Sequence, residues 1–319
     1  GESFFTTPNP KVGAVFTYYL KNDIKTIKEK RRAAEAEKIK KGEAPVYPSV
    51  DSLRLEDEQP APHLLFTVTD ESGTVVRRIK APVKKGVNRI VWDFRTSPFG
   101  PIDLTPFDES FAFSSPDQGY FALPGTYQVS LSKFEDGAYT EIIAPQPFKA
   151  VALNTATLPA TDKKALDDFC KKIAELSRVT AAADQYRGEL VNKLRFMKQA
   201  VIETPKQSLD ISKAILQVEK RLNAVNRQLN GDGTLARREF ETTPSIGGRI
   251  GYVIGSLWNT TAAPTQTQLN SYQVAAKQFT PVYNELKAIA EEVKKLEDML
   301  ERNGAPYTPG RLPEWKGGF

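Results

Sequence analysis

The hydrophobic period changes once along this chain, and that change fixes its class. Between Leu64 and Leu153 apolar residues alternate with polar ones, whereas from Leu158 to Asn303 they recur at spacings of three and four. A half-buried strand needs the first pattern and an amphipathic helix the second. The chain is therefore α+β, and its 319 residues suffice for two or three domains, each with its own core.

The alternating half has a preface. Ala14-Val15-Phe16-Thr17-Tyr18-Tyr19-Leu20, bounded by Pro8, Pro10 and Gly13, predicts a strand within an extended segment over residues 1–22. From Asp23 to Lys41 the composition turns to Lys, Glu, Ala and Arg, which predicts a helix with Asp23 as N-cap and Gly42 as stop. Its apolar residues are too sparse for deep burial, so it should lie exposed or reach between modules. The prolines at 45, 48, 60 and 62 leave room for no more than a helical turn around Ser49-Val50-Asp51-Ser52-Leu53.

Then come Leu64 to Thr69, the turn Asp70-Glu71-Ser72-Gly73, and Thr74 to Ile79, a hairpin pattern. Asn88 to Phe94 follows with Ile90, Trp92 and Phe94 on one face. Thr126 to Leu131, Tyr139 to Ile143 and a last strand near Pro147 to Leu153 complete the set. Short strands with regular turns predict an antiparallel β-sandwich of immunoglobulin-like or fibronectin-like type over residues 63–153. The long insertion 95–123 carries Phe99, Phe107, Phe111, Phe113, Tyr120 and Phe121. So many aromatic residues suit order against a neighbour rather than disorder.

The second half predicts an antiparallel helical bundle over residues 158–303, with a Pro/Gly-rich tail over 304–319. Its first helix starts at Thr161-Asp162, ends at Thr204-Pro205, and turns inward Leu166, Phe169, Cys170, Ile173, Leu176, Val179, Ala183, Tyr186, Leu190, Leu194 and Met197. A second runs from about Ser208 to Leu229 and stops at Asn230-Gly231-Asp232-Gly233. The third, Ser245 to Trp258, is glycine-rich, its glycines allowing close approach to its neighbours. The fourth, Thr265 to Arg302, has Leu269, Tyr272, Ala276, Phe279, Tyr283 and Leu286 inward, and Pro281 is expected to kink it.

Chemistry is scarce. His63 is the only histidine and Cys170 the only cysteine. This excludes a histidine-rich metal site and an internal disulfide, and makes Cys170 a core residue. Asp167-Asp168, Glu291-Glu292 and Glu297-Asp298 could supply the acid and base of glycoside hydrolysis, but they lie on charged helix faces without apolar surroundings. Gly247-Gly248-Arg249-Ile250-Gly251 lacks the lysine and hydroxyl residue of a phosphate loop. Asp103, Asn230 and Asp232 fit no calcium-loop spacing. The net charge of +5 is the small difference of 44 basic and 39 acidic residues, with no nucleic-acid track in it. No stretch approaches a membrane span and no signal segment opens the chain. Neither metal nor cofactor is expected. The weakly indicated ligand-binding residues are Trp92, Phe107, Phe111 and Tyr120, whose rings could stack on sugars or fill a partner's pocket.

Phe5-Thr6-Thr7-Pro8-Asn9-Pro10-Lys11-Val12-Gly13-Ala14 with Tyr18-Tyr19-Leu20 resembles the segment after the β-propeller in large secreted bacterial proteins with sortilin-like (VPS10-like) or BNR repeats, often labelled glycosyl hydrolases. Arg77-Arg78, Gly86, Arg89, Trp92-Asp93, Arg95 and Pro124-Gly125-Thr126-Tyr127 are similar to that family's sandwich. Ser245-Ile246, Gly255, Leu257-Trp258 and Ala305 to Pro313 are similar to its helical tail. The resemblance implies a secreted, periplasmic or cell-surface protein whose propeller lies upstream and packs on these modules. No Asp-box repeat is present, so the glycosidase label does not transfer. The expectation is a non-catalytic region that packs against that propeller or binds a protein or glycan. The alternatives are a carbohydrate-binding module using the aromatic insertion, and part of a glycoside hydrolase with a carboxylate pair.

Overall fold

The computed structural model describes residues 7, 9, 12–105, 118–153, 155–206, 209–313, 315 and 317. They fall into two compact units: Gly1–Ser97 with Gln118–Thr155, the β unit, and Pro98–Asp117 with Ala156–Phe319, the helical unit.

The β unit holds strands β1 (Ala14–Leu20), β2 (His63–Asp70), β3 (Val75–Ala81), β4 (Gly86–Trp92), β5 (Gly125–Glu135) and β6 (Ala138–Ala150). They form two antiparallel sheets, β1-β4 and β3-β2-β5-β6. The period-two pattern sorts the side chains. Leu64, Phe66 and Val68 of β2 point inward with Tyr127 and Leu131 of β5, and meet Phe16, Tyr18 and Trp92 from the smaller sheet. Phe16 stacks on Phe66 at 6.1 Å and meets Phe148 edge-on, and Trp92 meets Tyr127 at 5.0 Å. The Tyr127 hydroxyl donates to the Leu123 carbonyl four residues upstream.

Two expectations change here. The last two predicted strands are one, β6, paired along β5 with two register shifts. Pro145 and Pro147 are tolerated because β6 is an edge strand. Phe94 leaves β4 with φ of 59°, since the chain turns there: the Trp92 indole donates to the Arg95 carbonyl, and Arg95 bridges to Phe121. Gly119 closes this corner, where a Cβ would lie 2.2 Å from Thr96 Oγ1.

Between β1 and β2 stand two helices, α1 (Ile27–Lys40) and α2 (Val50–Glu58). Thr26, not Asp23, caps α1, because Glu29 three residues on completes a capping box; Asp23 instead accepts from the Lys85 amide at 2.6 Å. α1 buries no residue, as its composition predicts. Ser49 caps α2 and lets two and a half turns form where only one was expected.

The helical unit comprises α3 (Lys163–Glu203), α4 (Leu209–Asn230), α5 (Gly233–Ala236), α6 (Ile246–Leu257) and α7 (Gln266–Arg302). Asp162, Ser245 and Thr265 cap α3, α6 and α7. α7 passes Pro281 as a single element, with that residue on its exposed side. The four long helices each touch the other three, yet the bundle has only three columns. Phe169 meets Tyr272 and Lys193 meets Glu297, so α3 and α7 run parallel. Asn230 bonds Asp184 and Lys198 bonds Glu219, so α4 runs against α3; Gln268 bonds Ser256, so α6 runs against α7. α4 and α6 therefore continue one another end to end. Where an all-antiparallel bundle was expected, the segment from Gly231 to Ser245 interrupts the middle column without reversing it. At this joint a Cβ on Gly247 would lie 2.9 Å from the Leu229 carbonyl.

The seams repeat every 3.5 residues: 211, 215, 218, 222, 225 and 229 in α4, and 275, 279, 282, 286, 289, 293, 296 and 300 in α7 are all buried. The same spacing in α3 passes through Thr180 and Arg187, where apolar periodicity points to Val179 and Tyr186. Thr180 is buried, and Tyr186 is exposed. Likewise Ala275 and Val282, rather than Ala276 and Tyr283, face inward from α7.

Candidate interaction surface

The residues singled out for binding are placed unequally. Trp92 is 0% and Tyr120 5% exposed, so both rings serve packing. Phe107 and Phe111 lie outside the described residues. Elsewhere in the insertion, Phe99 packs on Trp258 within the helical unit. Arg95, named in the sequence only through the resemblance, is buried, donates to the Gly119 carbonyl at 3.0 Å and lies 4.0 Å over the Phe121 ring. Burial lowers its pKa, opposed by Asp93.

Four of the six candidate acids and bases have structural partners. Asp167 pairs with Lys171, Asp168 with Lys164, Glu292 with Arg221, and Glu297 with Lys193. The Lys164 hydrogen bond holds Asp168 below the usual carboxylate range. Asp103 and Asp232 accept from the backbone of Thr105 and Thr234, which lowers both carboxyls. His63 stacks on Phe134 at 4.7 Å and bonds the Tyr139 hydroxyl at 3.1 Å. Burial, then the nearby Asp167 charge, pushes the Cys170 thiol up to about 12, which removes it as a nucleophile at neutral pH. No group of three potential metal ligands occurs among the described residues. No helix there is long and apolar enough to cross a membrane.

The surface that stands out lies on the charged helix and on the proline-rich stretch that follows it. α1 and α2 are joined by Arg31, whose guanidinium reaches both Glu56 oxygens at 2.5 and 2.8 Å and Glu35 at 2.7 Å. Those bonds, Glu56 first, hold Arg31 more firmly protonated, and Arg31 holds Glu56 below the ordinary glutamate range. Gln59 ties the pair to the sheet, accepting from the Ile27 amide at 2.7 Å and donating to Asp136. Beside this network lies a groove of about 340 Å³, lined by Ile39, Val46, Tyr47, Pro48 and Leu53 above Arg31 and Glu35. Tyr47 is 86% exposed, and Val46, Val50, Leu55 and Ile39 are exposed as well. Such a patch on a fixed pair of helices can receive an apolar side chain. The signals that could have found it are Thr26-x-x-Glu29, the Ser49 cap and the apolar residues among the prolines. Comparison of the chain with protein-family models, with curated proteins and with solved structures gives no match.

Proposed function

We propose that this chain is a non-catalytic interaction region of a secreted or cell-surface bacterial protein, and that it packs against a β-propeller upstream in the same polypeptide. The observation that carries the reading is the apolar groove on α1 and α2, held in place by Arg31 and open to solvent. A surface helix pair with no contact to make would be expected to bury or lose Ile39, Val46, Tyr47 and Leu55. The propeller and the secretion follow from the resemblance of the segments at both ends of the chain.

Within this reading the β unit is an immunoglobulin- or fibronectin-like sandwich. Two features support that: β2-β3 and β5-β6 are hairpins while the chain crosses between sheets after β1, β3 and β4, and Tyr127 bonds back to Leu123 as the corner tyrosine of such folds does at the start of its strand.

Calorimetric titration of the chain with the separately produced propeller tests the partner. Saturable binding, weakened by Tyr47→Ala and Ile39→Asp, is expected; no binding removes the propeller as partner. Turnover of a glycoside or peptide, abolished by one carboxylate substitution, would overturn the non-catalytic reading.

A further inference from the structure

The four edges of the two sheets are not guarded alike. β3 carries Arg77, Arg78 and Lys80, and the Ser97 amide donates to its Val76 carbonyl. β6 carries Pro145, Pro147 and Glu141, and β4 carries Arg89. Charges and prolines of this kind keep an open edge from pairing with another chain. β1, Ala14-Val15-Phe16-Thr17-Tyr18-Tyr19-Leu20, has neither, and among the described residues it pairs with β4 alone.

The side chains around this edge are also less covered than their positions call for. Phe16 lies next to the centre of β1 and faces the core, yet is only half-buried. Ile143 sits opposite the core residue Leu131, on the same face, and is 43% exposed. The smaller sheet has two strands against the larger sheet's four.

We propose that the open edge of β1 pairs with β1 of a second copy of this chain, antiparallel about Thr17, to give one sheet in the order β4-β1-β1-β4. The sequence of β1 is complementary to itself in that register. On the outer face Val15 of one copy stands opposite Tyr19 of the other and Thr17 opposite Thr17; on the inner face Phe16 stands opposite Tyr18 and Ala14 opposite Leu20. Aromatic with β-branched, hydroxyl with hydroxyl, aromatic with aromatic and small with large are all favourable cross-strand pairs, and no like charges meet. Val15 and Tyr19, at 53% and 67% exposure, are free to make these contacts. The contact is independent of the groove on α1 and α2, so either can fail without the other.

Sedimentation equilibrium of the whole chain tests it. One strand edge is a small interface, so a monomer–dimer equilibrium with a dissociation constant of roughly 10–100 µM is expected. Thr17→Lys sets two like charges opposite each other and should weaken association about fivefold or more. Val15→Lys should weaken it, and Val15→Lys with Tyr19→Glu together should restore it, because each Lys then faces a Glu only in this register. All three side chains point outward, so far-ultraviolet circular dichroism should stay unchanged. A monomer at every concentration, a dimer indifferent to Thr17→Lys, or protection from hydrogen exchange in the dilute monomer of those alternate β1 amides that face away from β4 would each overturn the proposal.

Discussion

The two units are held together differently. The helical unit is stabilised along its length by seams in which every third or fourth residue is apolar, and its ion pairs lie on top of that packing. The β unit has a core of similar kind between its sheets, but α1 and α2 have no such core and depend on one guanidinium, one glutamine, two lysine ion pairs and two caps. Packing of the first kind is spread over many residues and fails all at once. Attachment of the second kind is concentrated in a few polar atoms and can fail by itself, which is the property expected of a surface that meets partners.

The largest effect should come from the β core. Trp92→Ala removes the ring on which Phe94, Tyr127 and Phe148 converge and should cost about 3–5 kcal/mol. Denaturant titration by circular dichroism measures this loss, and alkylation of the buried Cys170 reports the helical unit separately. Cys170 labelling at the wild-type midpoint, alongside an early loss of β signal, is the expected result. Labelling that moves with the β signal would mean that the units unfold as one.

Next in size is the detachment of α1 and α2. Glu56→Ala leaves Arg31 with Glu35 only and should free both helices, while the sheets melt as before; limited proteolysis within residues 27–58 would show it. Acid should do the same to the wild type. The folded pKa of Glu56 lies below its unfolded value, so its contribution is complete above the ordinary glutamate range and is lost as pH falls through the depressed value. Proteolysis with an acid protease should therefore open α1 and α2 below about pH 4, before the helical unit is cut. Simultaneous cleavage of both units would break the contrast between them.

Much of this architecture was legible in the sequence because it is periodic. The strand pairs from Leu64 to Ile79, the helix ends at Ser245 and Thr265, and the seam of α4 follow from spacing and caps alone. What was not legible depends on polar residues in apolar places. A search for apolar periodicity steps from Thr180 to Val179 and from Arg187 to Tyr186, although the 3.5-residue seam runs through the polar pair. The end of α4 sits beside this stretch, with Asn230 bonded to Asp184, so the α3 seam turns polar near the joint in the middle column. The groove was missed for a related reason: Arg31 and Glu56 are 25 residues apart, and no local rule brings them together.

That polar stretch gives a smaller prediction of opposite sign. The Thr180 hydroxyl is buried and has no hydrogen-bond partner among the described residues, so Thr180→Val keeps the shape and removes an unsatisfied group. It should stabilise the helical unit by about 1 kcal/mol, visible as a later midpoint for Cys170 alkylation. A loss of stability would mean that the hydroxyl is satisfied by bound water and belongs to the joint.

The smallest effects come from the glycines of α6, and they should separate by sign. A Cβ at Gly251 meets nothing within 4 Å among the described residues, whereas one at Gly247 meets the Leu229 carbonyl at 2.9 Å. Of the α6 glycines, Gly247 alone is pressed against another element among the described residues, against the expectation that all of them serve close approach. Gly251→Ala should raise stability by about 0.5–1 kcal/mol through backbone entropy alone. Gly247→Ala should lower it, because the end-to-end joint of α4 and α6 must open to admit the methyl group. If both substitutions stabilise, α6 is not pressed against the end of α4, and the three-column bundle loses its middle column.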